Sequence, residues 1–247
     1  MFELTTKVCK LLLLALSISV FRTIKNIVPK NILEIYVLQK QVEAIKYDFK
    51  RYVSKPRWNS FYHQIDEIIS INPTSILEIG VGSGVLRTII KYLLCCNYES
   101  MDIDEELKPD YIGSILKMPF PDKKYDVIGC FQVLEHLPYE DFEKALLELF
   151  RVSKKAVIIS LPDVGKIPKL HIPIICKMKF FKWPFNRLKE HKFDGEHYWE
   201  INKKDYEIEK IIKKMTEIAK EYNFTMKKEY RIWENQYHHF FVFRNIE

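Results

Sequence analysis

Ser75-Ile76-Leu77-Glu78-Ile79-Gly80-Val81-Gly82-Ser83-Gly84 is the stretch on which the reading of this chain turns. Ser75 to Ile79 is branched and apolar except at Ser75 and Glu78, the pattern of a short buried strand. Gly80, Gly82 and Gly84 then alternate, and an apolar helical run from Val85 to Leu94 follows at once. Strand, glycine turn and helix open a nucleotide-binding βαβ unit, because glycine lets the backbone turn sharply and approach a ligand with no Cβ in the way. A dinucleotide fingerprint would read G-x-G-x-x-G, with a pyrophosphate on the helix N-terminus. Here the pattern is E-x-G-x-G-x-G, and an acid beside the turn disfavours a pyrophosphate while attracting a cation.

S-adenosylmethionine (SAM), with its sulfonium and ammonium, suits that acid. On these residues the chain resembles the class I SAM-dependent methyltransferases of the type 11-like kind, whose first motif is E/D-x-G-x-G-x-G. The resemblance implies SAM as cofactor, held at Glu78, Gly80, Gly82 and Gly84. Asn97 to Met101 reads as the second strand, ending in Asp102-Ile103-Asp104. An acid about 20 residues beyond the glycines is where such folds hold ribose hydroxyls, and the resemblance gives that role to Asp102. Asp110 to Phe120 looks like the family's adenine-side loop, with Ser114 where many relatives carry Asp, followed by Ile115. A serine hydroxyl there would hold the adenine amino group more weakly than a carboxylate.

Tyr125 to Phe131 is the next strand, and Gln132-Val133-Leu134-Glu135-His136-Leu137-Pro138 resembles the family's V-L-E-H-l-p continuation. In relatives the backbone at this strand end, here Phe131, contacts the methionine portion of the cofactor. A helix from Tyr139 to Val152 and a strand from Ala156 to Ser160 continue the alternation. From Lys166 to Lys192 eight basic residues face the single acid Glu190, with Phe180, Phe181, Trp183 and Phe185 interleaved. That mixture suits a nucleic acid or a membrane interface. The favoured reading is a lid inserted after the fifth strand, at about 163–203, with nucleic acid disfavoured as a partner. Gly195 to Ile201, a helix from about Lys204 to Tyr222, and strands from Phe224 to Ile232 and Tyr237 to Phe243 complete the pattern. The resemblance therefore covers roughly Trp58 to Arg244. The elements H-x-W-E-I and E-N-x-Y-H also look like methyltransferases of cell-surface glycan enzymes.

The chain's 247 residues support one α/β domain with appendages. Only seven glycines are present, so three within five residues are a concentrated use of a scarce residue. A net charge of +6 suits an acidic or membrane-surface partner without requiring one. The five cysteines form no C-x-x-C pair and no metal spacing, so reduced thiols in a reducing compartment and no bound metal are expected.

Leu11 to Phe21 is an apolar run flanked by Lys7, Lys10, Arg22 and Lys25. It falls short of the roughly 20 residues that cross a bilayer. A helix lying on the membrane surface, a helix packed on protein, and a signal or anchor all fit. A second amphipathic stripe runs through Ile32, Ile35, Leu38, Val42, Ile45 and Phe49, and Pro56 breaks it.

The expected architecture is a Rossmann-like, seven-stranded, mainly parallel sheet with helices on both faces. Residues 1–54 form an N-terminal apolar and helical extension, and 55–247 the SAM-dependent domain. The implied function is methyl transfer to a hydroxyl or other heteroatom of a small-molecule or glycan acceptor. His136, at a strand end, and His197, after the lid, are the candidate bases for removing the acceptor's proton. The expected location is the cytoplasm, at the inner membrane face through the N-terminus. A SAM-binding module without catalysis and a nicotinamide-dependent oxidoreductase are the competing readings.

Overall fold

Successive side chains along the central strands point to opposite faces of the sheet, and both faces are buried in separate apolar layers. The computed structural model describes residues 44–47, 52–165 and 188–246. The chain divides into two units, Met1–Gln39 and Lys40–Glu247, and all the described residues belong to the second. That unit begins N-terminal to the boundary expected at 54/55. The apolar run at 11–21, the start of the amphipathic stripe and most of the basic lid lie outside the described residues.

Seven strands form one sheet in the order β3-β2-β1-β4-β5-β7-β6. They are β1 (Ser75–Ile79), β2 (Asn97–Asp102), β3 (Tyr111–Ile112), β4 (Tyr125–Phe131), β5 (Ser153–Pro162), β6 (Phe224–Arg231) and β7 (His238–Asn245). β1 to β5 run parallel, and β7 is antiparallel to both β5 and β6. The helices are α1 (Lys55–Ile69), α2 (Val85–Leu93), α3 (Phe142–Val152) and α4 (Ile208–Glu221).

On one face, Leu77, Ile128, Val157, Ile159, Phe241 and Phe243 pack with Leu146, Leu149 and Phe150 of α3 and with Ile211 and Met215 of α4. On the other, Ile76, Val127, Ile158, Phe240 and Val242 pack with Ile68 of α1 and with Leu86 and Ile90 of α2. Single-residue alternation along β5 and β7 therefore supplies both layers at once. β4 is buried along its whole length, as a central parallel strand with both faces covered must be. β6 closes one edge and exposes Lys227, Lys228 and Glu229, charges that discourage pairing with another chain.

Two differences from the sequence reading have local causes. The helix expected from Tyr139 begins at Phe142, because Tyr139–Asp141 closes as a 3-10 turn after Pro138. The helix expected from Lys204 begins at Ile208, because Lys203 bridges back to Tyr206.

The strand order reverses between β1 and β4, so the glycine turn and the segment after Phe131 border one crevice at the carboxyl edge of the sheet. The chain returning from the lid region is fastened over this edge. Ile201 N–H donates to Pro162 O at 2.9 Å and Asp163 N–H to Tyr237 O at 2.8 Å. Trp199, fully buried, packs edge-on against Tyr139 and Phe142 and donates its indole N–H to Leu137 O at 3.2 Å.

His238, at the start of β7, is buried, and burial with the nearby Arg57 charge pushes its pKa down to about 3. The native state then holds a neutral imidazole where the unfolded chain takes up a proton below its ordinary pKa of about 6.5. Stability contributed by this site is therefore present above about pH 6.5 and is lost as the pH falls toward the folded value. Between pH 7 and 5 the wild type should lose about 1–2 kcal/mol more than His238→Phe, as read by urea melts. Equal losses would contradict the burial of a neutral His238.

Candidate active site

Glycine is required at Gly80 for two separate reasons. Its φ is +82°, and a Cβ built there would lie 2.4 Å from Val133 Cγ2. Gly80 N–H donates to Met101 O at 2.9 Å, so the turn leaves β1 pressed between β2 and the segment after β4. Gly82, with φ +50°, faces Tyr47, whose Cε1 would stand 3.5 Å from an added Cβ. Gly84, in the left-handed region, caps α2.

Asp102, at the end of β2, fixes this turn from the side. Its Oδ2 accepts from Val81 N–H at 2.8 Å and its Oδ1 from Asp104 N–H at 3.0 Å. Each oxygen keeps a further lone pair, so the carboxylate can take ribose hydroxyls while holding the turn. Glu78 lies beneath the same turn, buried, and takes a hydrogen bond from the Tyr98 hydroxyl. Ser114 Oγ accepts from Leu116 N–H at 3.2 Å, and the side chain of Ile115 is in the core. Phe131 packs into the α1–α2 layer, and Gln132 after it takes a φ of +56° with its N–H on Ser160 O at 2.9 Å.

Beyond the turn a cleft of about 460 Å³ opens, walled by Tyr47, Arg57, Glu135, His136, His197 and Tyr237 among others. Its lining includes both predicted histidines but none of the predicted cofactor residues Glu78, Gly80, Gly82, Gly84, Asp102, Ser114, Ile115 and Phe131. Tyr47 and Tyr52 meet edge-on at 4.9 Å, and Tyr47 joins the cleft to the glycine turn. The histidine rings are 5.0 Å apart between centroids. Two backbone contacts bring them together: Tyr198 N–H donates to Glu135 O at 2.8 Å, and His136 Nδ1 lies 2.8 Å from Glu196 O.

Burial, helped by the charge of His197, pushes the His136 pKa down to about 4, so its ring is neutral at physiological pH. For His197 burial acts in the same direction, but the carboxylates of Glu200, Glu135 and Asp194 outweigh it and raise the pKa. Burial would also raise Glu200, yet contacts from His197, Tyr237 and Lys203 bring it down to about 2.

Burial pushes both Glu78 and Glu135 up to about 8, and it raises Asp102 as well. Burial thus disfavours the ionised form of Glu78 and Asp102 beside the turn and of Glu135 in the cleft, and a cationic ligand beside any of them would stabilise it. SAM, with its sulfonium, ammonium and ribose diol, fits these residues.

The sequence reading assigned no role to Glu135, Tyr47, Arg57 or Tyr237. Glu135 was visible as the acid beside His136. Tyr47 lies off the apolar stripe, and Tyr237, in the β6–β7 connection, was visible only as the Tyr of the E-N-x-Y-H element.

Residues 77–161 match the family model described as a methyltransferase domain. These residues carry a methyltransferase domain, and the match supports a class I SAM-dependent methyltransferase family. The chain is 43% identical over 101 residues to an uncharacterized methyltransferase of Schizosaccharomyces pombe, covering 32% of this chain and 36% of that protein. It is 25% identical over 158 residues to the ubiquinone biosynthesis O-methyltransferase of Rickettsia bellii, covering 57% of this chain and 65% of the relative. The chain thus spans between about a third and two thirds of these curated relatives. Among solved structures, the methyltransferase domain of bacterial CtHen1-C shares the fold at TM-score 0.53 and 14% identity, over 77% of this chain and 99% of that one. Magnesium protoporphyrin IX methyltransferase from Synechocystis PCC 6803, with bound SAH, does so at TM-score 0.51 and 13% identity, over 84% and 90%.

Asp102→Ala removes both the ribose acceptor and the acceptor for Val81 N–H. SAM affinity measured by calorimetry should fall by about 1–3 kcal/mol. Unchanged affinity would contradict the placement of the ribose at Asp102.

Proposed function

We propose that this chain transfers the methyl group of SAM to a hydroxyl or other heteroatom of a small-molecule or glycan acceptor. The observation that carries the reading is the arrangement of one crevice. Acids and glycines suited to a cationic nucleoside lie on one side, and a cleft with two apposed histidines lies on the other. The cofactor supplies a methyl carbon already activated by the sulfonium. The protein's part is to align the acceptor in line with that carbon, exclude water and take up the proton an acceptor hydroxyl loses. Tyr47 and Tyr52 shield the crevice from the N-terminal side, and His136 and His197 face the acceptor.

An oxygen acceptor has support from a relative whose printed activity is O-methylation, the Rickettsia bellii ubiquinone biosynthesis enzyme. The names of the fold neighbours extend from small RNA to a magnesium protoporphyrin, so the fold selects no acceptor. A nicotinamide-dependent oxidoreductase fits poorly, because Glu78 lies beneath the turn where a pyrophosphate would stand. A binding module without catalysis is separated from an enzyme by turnover.

The run at 11–21, with basic residues on both sides, suits an anionic membrane surface, and we assign it that contact. No helix among the described residues is long and apolar enough to cross a membrane.

The test is formation of S-adenosylhomocysteine from SAM with a polar metabolite and glycan extract as the source of acceptor. His136→Ala and His197→Ala should each lower turnover by about 10²–10⁴-fold with SAM affinity unchanged. Wild-type turnover in both variants would remove the histidines from the reaction. Intact SAM binding with no turnover on any fraction would favour the binding module.

A further inference from the structure

We infer that Glu135, His136 and His197 form a site for one divalent transition cation on the acceptor side of the cleft. The inference rests on the methyl-transfer reading for its chemical purpose but not for its geometry. Each of the three residues offers one ligand atom, and these atoms all lie within 4.8 Å of one another.

Glu135 gives the strongest reason. It is fully buried, it lines the cleft, and neither carboxylate oxygen has a hydrogen-bond partner. A carboxylate removed from water with no donor is costly and calls for a positive partner. Lys46 pairs with Glu196 and the Arg57 guanidinium lies 3.9 Å above the Tyr52 ring, so the charges of Arg57 and His197 act on Glu135 without either side chain bonding to it.

Both histidines are already oriented as ligands. His136 directs Nδ1 to Glu196 O at 2.8 Å, a carbonyl that can only accept, so Nδ1 carries the proton and Nε2 keeps its lone pair. His197 directs Nδ1 toward Glu200 Oε1 at 3.6 Å and Asp194 Oδ2 at 3.9 Å. Once deprotonated, His197 would offer its Nε2 in the same way. An imidazole with one nitrogen facing a carbonyl or carboxylate is the usual outer support of a metal-bound histidine. Nothing in the sequence spacing announces the set, because His197 joins the other two only through the Tyr198–Glu135 and His136–Glu196 contacts.

Two imidazoles and one carboxylate suit Zn²⁺, Co²⁺ or Mn²⁺ better than Mg²⁺ or Ca²⁺, which favour oxygen donors. Three protein ligands also leave positions open toward the cleft. An acceptor oxygen entering one of them would lose its proton to cleft water more readily, and the oxygen would then take the methyl carbon as the carbon–sulfur bond breaks. The histidines would thus act by holding the cation, with cleft water taking the proton.

The test is titration of the chelator-treated, tag-free full chain with Co²⁺, followed by visible absorption and calorimetry, with SAM titrated into the same preparations. The wild type should bind one Co²⁺ per chain, displaced by Zn²⁺ and not by equimolar Mg²⁺. Glu135→Gln and His197→Gln should each weaken Co²⁺ at least tenfold while still binding SAM, which also reports folding. If one variant fails to fold, the other decides. A wild type that binds SAM but no Co²⁺, Zn²⁺ or Mn²⁺ would overturn the site alone, as would variants that bind Co²⁺ as tightly as wild type. Failure of SAM to bind wild type would instead overturn the methyl-transfer reading. Loss of Co²⁺ in the variants supports the site in either case.

Discussion

The hydrogen bond from Val81 N–H to the Asp102 carboxylate ties the turn after β1 to the end of β2, and the crevice depends on it. A turn built on three left-handed glycines has little stiffness of its own. Asp102 on one side and Val133 on the other confine it, which is why the Cβ missing at Gly80 matters so much. The confinement leaves the mouth of β1 open at the one place where the strand order reverses.

A second constraint builds the opposite wall. The returning segment is joined to the residues after β4 through Glu135, His136 and Leu137, with Trp199 as the apolar anchor. These bonds convert a loop far away in sequence into part of the cleft. The same segment brings the His197 ring to His136 beside the buried Glu135, so this wall of the cleft follows from how the returning segment is fastened.

The sheet was legible because its physics is local. β1, β4 and β5 are short, branched, apolar runs, and the glycine triplet marks the reversal point. β3, two residues long, carries too little pattern to be seen alone, and its place follows from the register Met101–Tyr111 and Asp102–Ile112. His136 was legible from the strand end that places it. Its partnership with His197 and Glu135 was not, since it arises from contacts across about 60 residues of intervening chain that periodicity does not report. Tyr47 and Tyr52 escaped for a similar reason: the apolar stripe points to a docked helix, whereas the described part is a 3-10 turn with Tyr47 over Gly82.

The central claim is that the crevice is short of positive charge because its ligand is a cation. Burial pushes Glu78 up to about 8, so near neutrality a fraction of its carboxyl must give up a proton when a sulfonium or ammonium arrives. Calorimetric titration of SAM at pH 7 in two buffers of different ionisation enthalpy measures that release directly. One SAM bound per chain, net proton release, and no heat from NAD is the result the account predicts. Binding of NAD in place of SAM, or SAM binding with proton uptake, would contradict it.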